Sequence, residues 1–459
     1  MISKKEKIFY GLGDLSANIM IGSISFFLLY FMINVAGLNA TYTGFVFIIA
    51  KGWDAITDYF MGRISDKTKS KYGKRRVYML FGAIPYGLAF MFLWLYPDVS
   101  SQMVKFLYFT AIYVLYNTTW TIVYVPYTAL TANMTQDYDE RTSLNTVRII
   151  MANIGLLMGA AVFGLLADGP ESIFYRLMGS YRLAYAFSGV VFGTMALVVM
   201  WLCAHNIRER HDESDENKAG FFKTLKEFFQ LKEFRNTTIY YLMSMVGFDI
   251  IMAVFIFLVN DALGFGGGDD SLLFVALPLV IAIASAIVWD KLSSRFSKHQ
   301  VYAVACVYIA IVLLGCIFIP AHNYWALGVV CALVGFGMSA IQILPWASLP
   351  DVVEIDEYHH GVRREGAYYG IISFLYKVAS GLSLAIVTWV LGAVQYVEGA
   401  AIQTDSVKLS IRLLIGTLPG VIFLISIIFA YRAKLDRKEF NRVKEELLKR
   451  RQLKNEESI

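Results

Sequence analysis

Long apolar runs, broken by short polar connections, recur along almost the whole chain. Twelve such runs stand near 8–35, 41–63, 77–97, 104–132, 143–167, 183–205, 237–263, 271–289, 301–320, 323–349, 367–394 and 409–431. A helix rising about 1.5 Å per residue crosses a hydrocarbon layer roughly 30 Å thick in about 20 residues, and each run is that long. The pattern predicts twelve transmembrane helices and an all-α membrane protein. The N-terminal stretch "KKEKIFYGLGDLSANIM" runs into a full-length span with no small-residue cleavage site, so no cleaved leader is expected.

Composition agrees with this pattern. Of 459 residues, 57 % are hydrophobic and 17 % charged, against roughly 25 % charged in soluble domains. The placement of charge adds more. Of the 41 Lys and Arg, 33 fall at the N-terminus, at 63–76, 134–147, 206–236, 291–300 and 351–366, and in the tail from 432. These are alternate connections, so the positive-inside tendency puts both termini in the cytoplasm. The basic tail 432–459 is expected to lie as a helix at the membrane surface, with lipid as its neighbour. Cys203, Cys306, Cys316 and Cys331 lie in or beside apolar spans without metal-ligand spacing, and read as packing residues.

The hydrophilic stretch 206–236 divides the chain. The expected organisation is an N-terminal six-helix bundle over 1–205, a cytoplasmic linker over 206–236, a second bundle over 237–431 and the tail. The halves repeat weakly. "SDKTKSKYGKRRVY" (65–78) aligns without gaps on "WDKLSSRFSKHQVY" (289–302), and "VPYTAL" (125–130) on "LPWASL" (344–349). Repeated six-span halves are the pattern of a two-bundle transporter with its solute site between the bundles.

A charge at mid-membrane costs roughly 2.5–3.5 kcal/mol on insertion scales, so each one points to function. Five residues stand out at depth: Asp14, Asp54, Asp58, Arg148 and Lys377. Lys51 sits nearer the end of span two and is spaced to pair with Asp54. Counting rise per residue, Asp54 and Lys377 both come out about 15 Å from the cytoplasmic ends of their spans, and Asp14, Asp58 and Arg148 about 9 Å. Three acids against two bases leave one negative charge for a cation to balance. Asp54 and Asp58, four residues apart, project from one helix face and suit a hard cation such as Na⁺ or a shared proton. A static ion-pair network that only fixes packing is the competing reading, disfavoured because such networks rarely gain stability over apolar packing.

Several motifs then become specific. "GRISDKTKSKYGKRR" resembles the loop between spans two and three of the major facilitator superfamily, which implies a charged cytoplasmic gate involving Asp66 and Arg75, with Asp290 at the matching place in the second half. "GDLSAN", "KGWDAITDYFMGRISD", "VPYTAL", "LPWASLPDVVEIDEYHHGVRREGAYYG" and "YKVASGLS", in order along the chain, resemble the melibiose-permease-like glycoside–pentoside–hexuronide:cation symporters. The resemblance implies a major facilitator fold of two pseudo-symmetric bundles that alternates access and couples a solute to Na⁺, H⁺ or Li⁺. It implies a cation site at Asp54, Asp58 and Thr121, with Lys377 beside it balancing charge. It implies solute contacts at Asp14, Arg148 and Trp346, with Trp120 and Tyr124 near the family's sugar-binding positions on span four.

The chain departs from the family at three such positions. Gly13 replaces a lysine, Tyr124 an aspartate, and Thr128 the tryptophan that stacks on sugar. Galactoside specificity is therefore not carried over, and an anionic sugar such as a hexuronide fits Arg148 and Lys377 better. The animal sodium-dependent lysophosphatidylcholine symporters share "VPYSAL"-like and "K.ASG.SL"-like segments, which makes a lysolipid the alternative solute. An enzyme is disfavoured: the six histidines fall in loops or at span ends, and no H-E-x-x-H, G-x-S-x-G or P-loop is present. The expectations are a functional monomer in a bacterial inner membrane, with no cofactor beyond the coupling ion and no nucleic-acid partner.

Overall fold

The computed structural model describes residues 2–135, 137–210, 221–265, 269–360, 365–398, 400, 402–433 and 446. Part of the expected linker (211–220), two arginines of the "RREG" motif (363–364) and nearly all of the basic tail lie outside the described residues.

Among the described residues, twelve long helices follow the apolar runs. We label them α1 (Lys4–Ser23), α2 (Ala40–Lys67), α3 (Arg76–Leu93), α4 (Gln102–Met134), α5 (Tyr138–Leu157), α6 (Tyr181–Asn206), α7 (Lys232–Phe257), α8 (Asp269–Arg295), α9 (Lys298–Gly315), α10 (Tyr324–Ala347), α11 (Glu365–Ala393) and α12 (Asp405–Arg432). Short helices lie at Ile173–Met178, Phe221–Gln230 and Leu349–His360. Ten of the long helices are both long and apolar enough to cross a membrane. The other two, α2 and α4, are long enough but more polar, and they carry Asp54, Asp58 and Thr121 of the site described below.

Local chemistry sets half of the N-terminal boundaries. Ser3, Asn39, Ser101, Asp137, Asn323 and Thr404 each cap a helix by accepting from a backbone N–H of its first turn. At their far ends α1, α5 and α7 pass into π-helical turns, at Ile24–Leu28, Met158–Val162 and Leu258–Ala262. The apolar pattern does not predict these turns. Their occurrence in α1 and α7, first helices of the two halves, agrees with the weak repeat.

In the first half α1 packs along α5, α3 lies against α4, and α6 against α1 and α3. In the second, α7 packs with α12, and α8 and α9 with α10. Close approach of α1 and α5 depends on Gly159, where a Cβ would lie 2.0 Å from the Ile19 carbonyl oxygen. Small residues let membrane helices touch in this way, because apolar burial gives no preference for helix over lipid.

The halves meet chiefly along α2 and α11. We call the face bearing the N-terminus and the 68–75 connection the terminal face, and the opposite one the distal face. Polar contacts at the distal face tie the halves together. Asn260 Nδ2 donates to both Asp168 oxygens (3.1 and 3.3 Å), and Tyr185 also donates to Asp168 (3.1 Å). Tyr396 Oη donates to Asp261 Oδ2 (2.6 Å) and accepts from Asn34 Nδ2 (2.7 Å).

At the terminal face, Arg75 pairs with Asp66 (2.8 Å) and also donates to the Ala129 carbonyl and Asn133 at the end of α4. The Glu209 carboxylate accepts from the N–H groups of Lys74, Arg75 and Arg76 at the start of α3, where unsatisfied donors favour an anion. The second half repeats the theme. Lys298, at the start of α9, donates to the Ala347 carbonyl (2.8 Å) at the end of α10 and to Asp351 (2.6 Å) in the short helix that follows. Asp290 matches Asp66 in sequence but differs in setting: it is exposed, with no ion pair among the described residues.

Candidate functional site

The central feature is a cavity of about 270 Å³ walled by α1, α2 and α4 of the first half and by α7 and α11 of the second. Asp54, Asp58 and Lys377 line it together. Lys377 Nζ lies 2.8 Å from Asp54 Oδ2 and 2.5 Å from Asp58 Oδ2. Thr121 Oγ1, from α4, stands 3.1 Å from Asp54 Oδ1 and 2.8 Å from Asp58 Oδ1. It has a single proton, so it donates to one carboxylate at a time. The i, i+4 spacing on α2 therefore brings both carboxylates to one point, as the sequence implied.

The cluster is oxygen-rich: one oxygen of each carboxylate meets the Thr121 hydroxyl and the other meets Lys377 Nζ. Hard cations take oxygen ligands, and the Lys377 ammonium meets the same oxygens that such an ion would. The groups belong to different halves, since Asp54, Asp58 and Thr121 are on α2 and α4 whereas Lys377 is on α11.

Asp14 and Arg148 are also brought together, but elsewhere. Arg148 Nε lies 2.5 Å from Asp14 Oδ2, and Asp14 also accepts from Tyr127 Oη (2.8 Å) and Tyr124 Oη (3.2 Å). The guanidinium sits over the rings of Tyr127 and Tyr10, at 5.2 and 5.7 Å. Asp14 is only 4 % exposed, and neither it nor Arg148 lines the cavity. The family's lysine before this aspartate has no room here: a Cβ at Gly13 would fall 2.3 Å from the Tyr127 ring.

The aromatic candidates divide. Trp120 and Tyr124 line the cavity with their ring centroids 4.7 Å apart. Trp346 does not line it; half exposed, it packs against Tyr241 and Tyr369.

Asp249, on α7, is not among the five deep ionisable residues picked out from the sequence. It lines the same cavity and accepts from Ser380 Oγ (2.5 Å) and Tyr376 Oη (3.1 Å) of α11. Its signal was available, since "SMVGFDIIMAV" is a lone aspartate in an apolar span. Lys51, the nearer-end lysine of span two, lines the cavity as well. Among the described residues the cavity thus holds three carboxylates (Asp54, Asp58, Asp249) and two ammonium groups (Lys51, Lys377), one negative charge in excess with all ionised.

Comparison with known proteins agrees with this architecture. A protein similar over nearly its whole length is the putative glycoside/cation symporter YagG of Escherichia coli, 26 % identical with 99 % of this chain and 97 % of that protein covered. Another is the sodium-dependent lysophosphatidylcholine symporter 1-A of Danio rerio, 25 % identical with 98 % and 89 % covered. Among solved structures, a bacterial homologue of the human lysosomal transporter Spinster, in an inward-facing and occupied conformation, superposes with a TM-score of 0.70 at 11 % identity. That superposition covers 93 % of this chain and 95 % of the other, and it speaks for the fold. The chain is an integral membrane protein of transporter rather than enzyme type. The profile of the MFS/sugar transport protein family matches residues 9–437, and the chain belongs to that family of the major facilitator superfamily.

Proposed function

We propose that the protein is a symporter that couples a monovalent cation, Na⁺ or H⁺, to uptake of a small hydroxylated solute of the glycoside or hexuronide class. One observation carries the reading: two carboxylates and a hydroxyl of the first half converge on a lysine of the second, at the wall of a cavity between the halves. In the empty carrier Lys377 pairs with both Asp54 and Asp58 and offsets one of their two charges. An arriving cation takes the carboxylate oxygens and the Thr121 hydroxyl and releases Lys377. Because the lysine and its partners lie on opposite halves, the exchange alters how the halves are held together, which is the link that coupling requires.

The terminal face is read as cytoplasmic, on the distribution of basic residues, in a bacterial inner membrane and in a functional monomer. Contacts joining the halves at the distal face, Asn260 with Asp168 and Tyr396 with Asn34, then fit an outward-closed conformation. Asp66 and Arg75, with Asp290 across the repeat, are read as gating residues that tighten the terminal face when the carrier turns outward.

A second reading has one specific support, the similarity to a sodium-dependent lysophosphatidylcholine symporter. On this reading the solute is a lysolipid and the cation site is unchanged.

Purified protein in proteoliposomes tests the coupling. Asp58→Asn is expected to abolish Na⁺- or H⁺-gradient-driven accumulation of solute while counterflow exchange partly survives. Wild-type accumulation in both Asp54→Asn and Asp58→Asn would sink it. Cation-dependent thermal stabilisation by neutral glycosides, hexuronates or lysophosphatidylcholine separates the two solute classes.

A further inference from the structure

We propose that Asp249 and Lys51, neither of them among the solute contacts the family resemblance implies, form the subsite that holds the hydroxyl groups of the solute. This deepens the symport reading above and rests on it.

The observations are those of a polar site left partly open. Each Asp249 oxygen already takes one donor from α11, Oδ1 from Tyr376 and Oδ2 from Ser380, four residues apart on one face. A carboxylate offers about four acceptor positions, so about two remain on a group that lines the cavity. The fixed donors hold the carboxylate in one orientation, which lowers the cost of binding a ligand. Lys51, on α2, lines the same cavity as Asp249, together with Tyr113, yet the lysine and the aspartate are not in ion-pair contact among the described residues. A carboxylate and an ammonium that share a cavity without closing on each other suit a group that donates to one and accepts from the other. A hydroxyl does both, and adjacent hydroxyls on a ring do so at two points.

The surroundings narrow the class. Trp120 and Tyr124 line the cavity and offer aromatic faces for the apolar face of a sugar ring. At about 270 Å³ the cavity is near the small end of ligand pockets, which suits one ring better than an acyl chain. The excess negative charge disfavours an anion unless the cation is already bound, so a hexuronate would need the cation first and a neutral glycoside would not. The two subsites lie on the same wall: Lys51 precedes Asp54 by one helical turn, and Ser380 follows Lys377 by another.

The test uses full-length protein in detergent, with binding followed by thermal shift. The probes are Na⁺ or Li⁺ alone, then methyl glycosides, free hexoses and hexuronates with their single-deoxy analogues, and lysophosphatidylcholine. With the sugar that stabilises the wild type, Asp249→Asn is expected to weaken binding about 10- to 100-fold, the effect of losing charge-assisted hydrogen bonds. Lys51→Gln should weaken it less, and in both variants the response to the cation alone should change far less than the response to the sugar. One deoxy analogue should bind Asp249→Asn as well as the parent sugar does, because the lost hydroxyl and the lost charge are the same contact. Wild-type sugar affinity in Asp249→Asn, or equal loss of sugar and cation responses, would overturn the subsite and leave the symport reading standing. Stabilisation of the wild type by lysophosphatidylcholine and by no sugar would overturn the glycoside reading and, with it, the subsite.

Discussion

Two buried charge clusters lie close together in this protein and are built to opposite plans. Asp14 and Arg148 meet inside the first half, walled by Tyr10, Tyr124 and Tyr127, balanced in charge and away from the cavity. Asp54, Asp58 and Lys377 meet between the halves, open to the cavity, with two acids to one base. A balanced pair within one half can stay unchanged while the halves move. An unbalanced set shared between halves must change whenever they do. Burial and ion pairing alone do not mark a coupling site, since both clusters have them. Charge excess and a shared origin distinguish the second.

The largest expected effect breaks the shared cluster. Lys377→Gln removes the built-in cation and leaves two facing carboxylates, so Na⁺-dependent thermal stabilisation should appear at tenfold or more lower Na⁺, while gradient-driven uptake falls below a hundredth of wild type. Unchanged Na⁺ affinity would mean that the lysine does not compete for the site. Next comes the closed cluster. Arg148→Met leaves a buried aspartate unpaired and should cost about 3–5 kcal/mol of stability, seen as a lower unfolding midpoint. Asp14→Asn combined with Arg148→Gln should recover most of that and retain transport. If the double variant is stable but has lost solute binding, Asp14 and Arg148 touch solute in another state of the cycle, and the contrast between the clusters fails.

A smaller effect sharpens the roles within the cation cluster. Thr121→Ala removes one oxygen ligand and should weaken cation affinity by about 1 kcal/mol, roughly fivefold, whereas Thr121→Ser should not. The smallest expected effect is Trp53→Phe, which removes one exposed hydrogen bond from Trp53 Nε1 to Thr118 (2.9 Å) on the α2–α4 seam. Cation titrations and uptake should both stay within twofold of wild type.

Much of this was legible in the sequence because the membrane restricts what a chain can do. Apolar runs of fixed length gave the twelve helices, and depth counting put Asp54 and Lys377 level before any fold was known. The same counting set Asp14 and Arg148 at one depth, and the structure pairs them. Depth says nothing about which way round its axis a helix presents a side chain, so the division into two clusters was not legible. Asp249 stands in an apolar span as Asp54 does, but no charged residue lies beside it in sequence to mark a site. The distal contacts joining Asn34, Asp168, Asn260, Asp261 and Tyr396 come from four connections far apart in the chain. The π turns depend on hydrogen-bond slippage that leaves the apolar pattern unchanged.

The unequal count of acids and bases around the cavity has an electrical consequence. On the proposed symport, and with every group ionised, the empty carrier would cross the membrane bearing one negative charge, and the carrier loaded with a cation and a neutral solute with none. A membrane potential therefore acts on the empty return step and leaves the loaded step nearly untouched. A full elementary charge is worth about 2.3 kcal/mol per 100 mV, so an inside-negative potential should speed resetting of the empty carrier towards the outside. Current recordings from proteoliposomes on a solid support should then show voltage changing the maximal rate more than the apparent solute affinity. In Asp58→Asn, where the excess charge is gone, that voltage dependence should vanish.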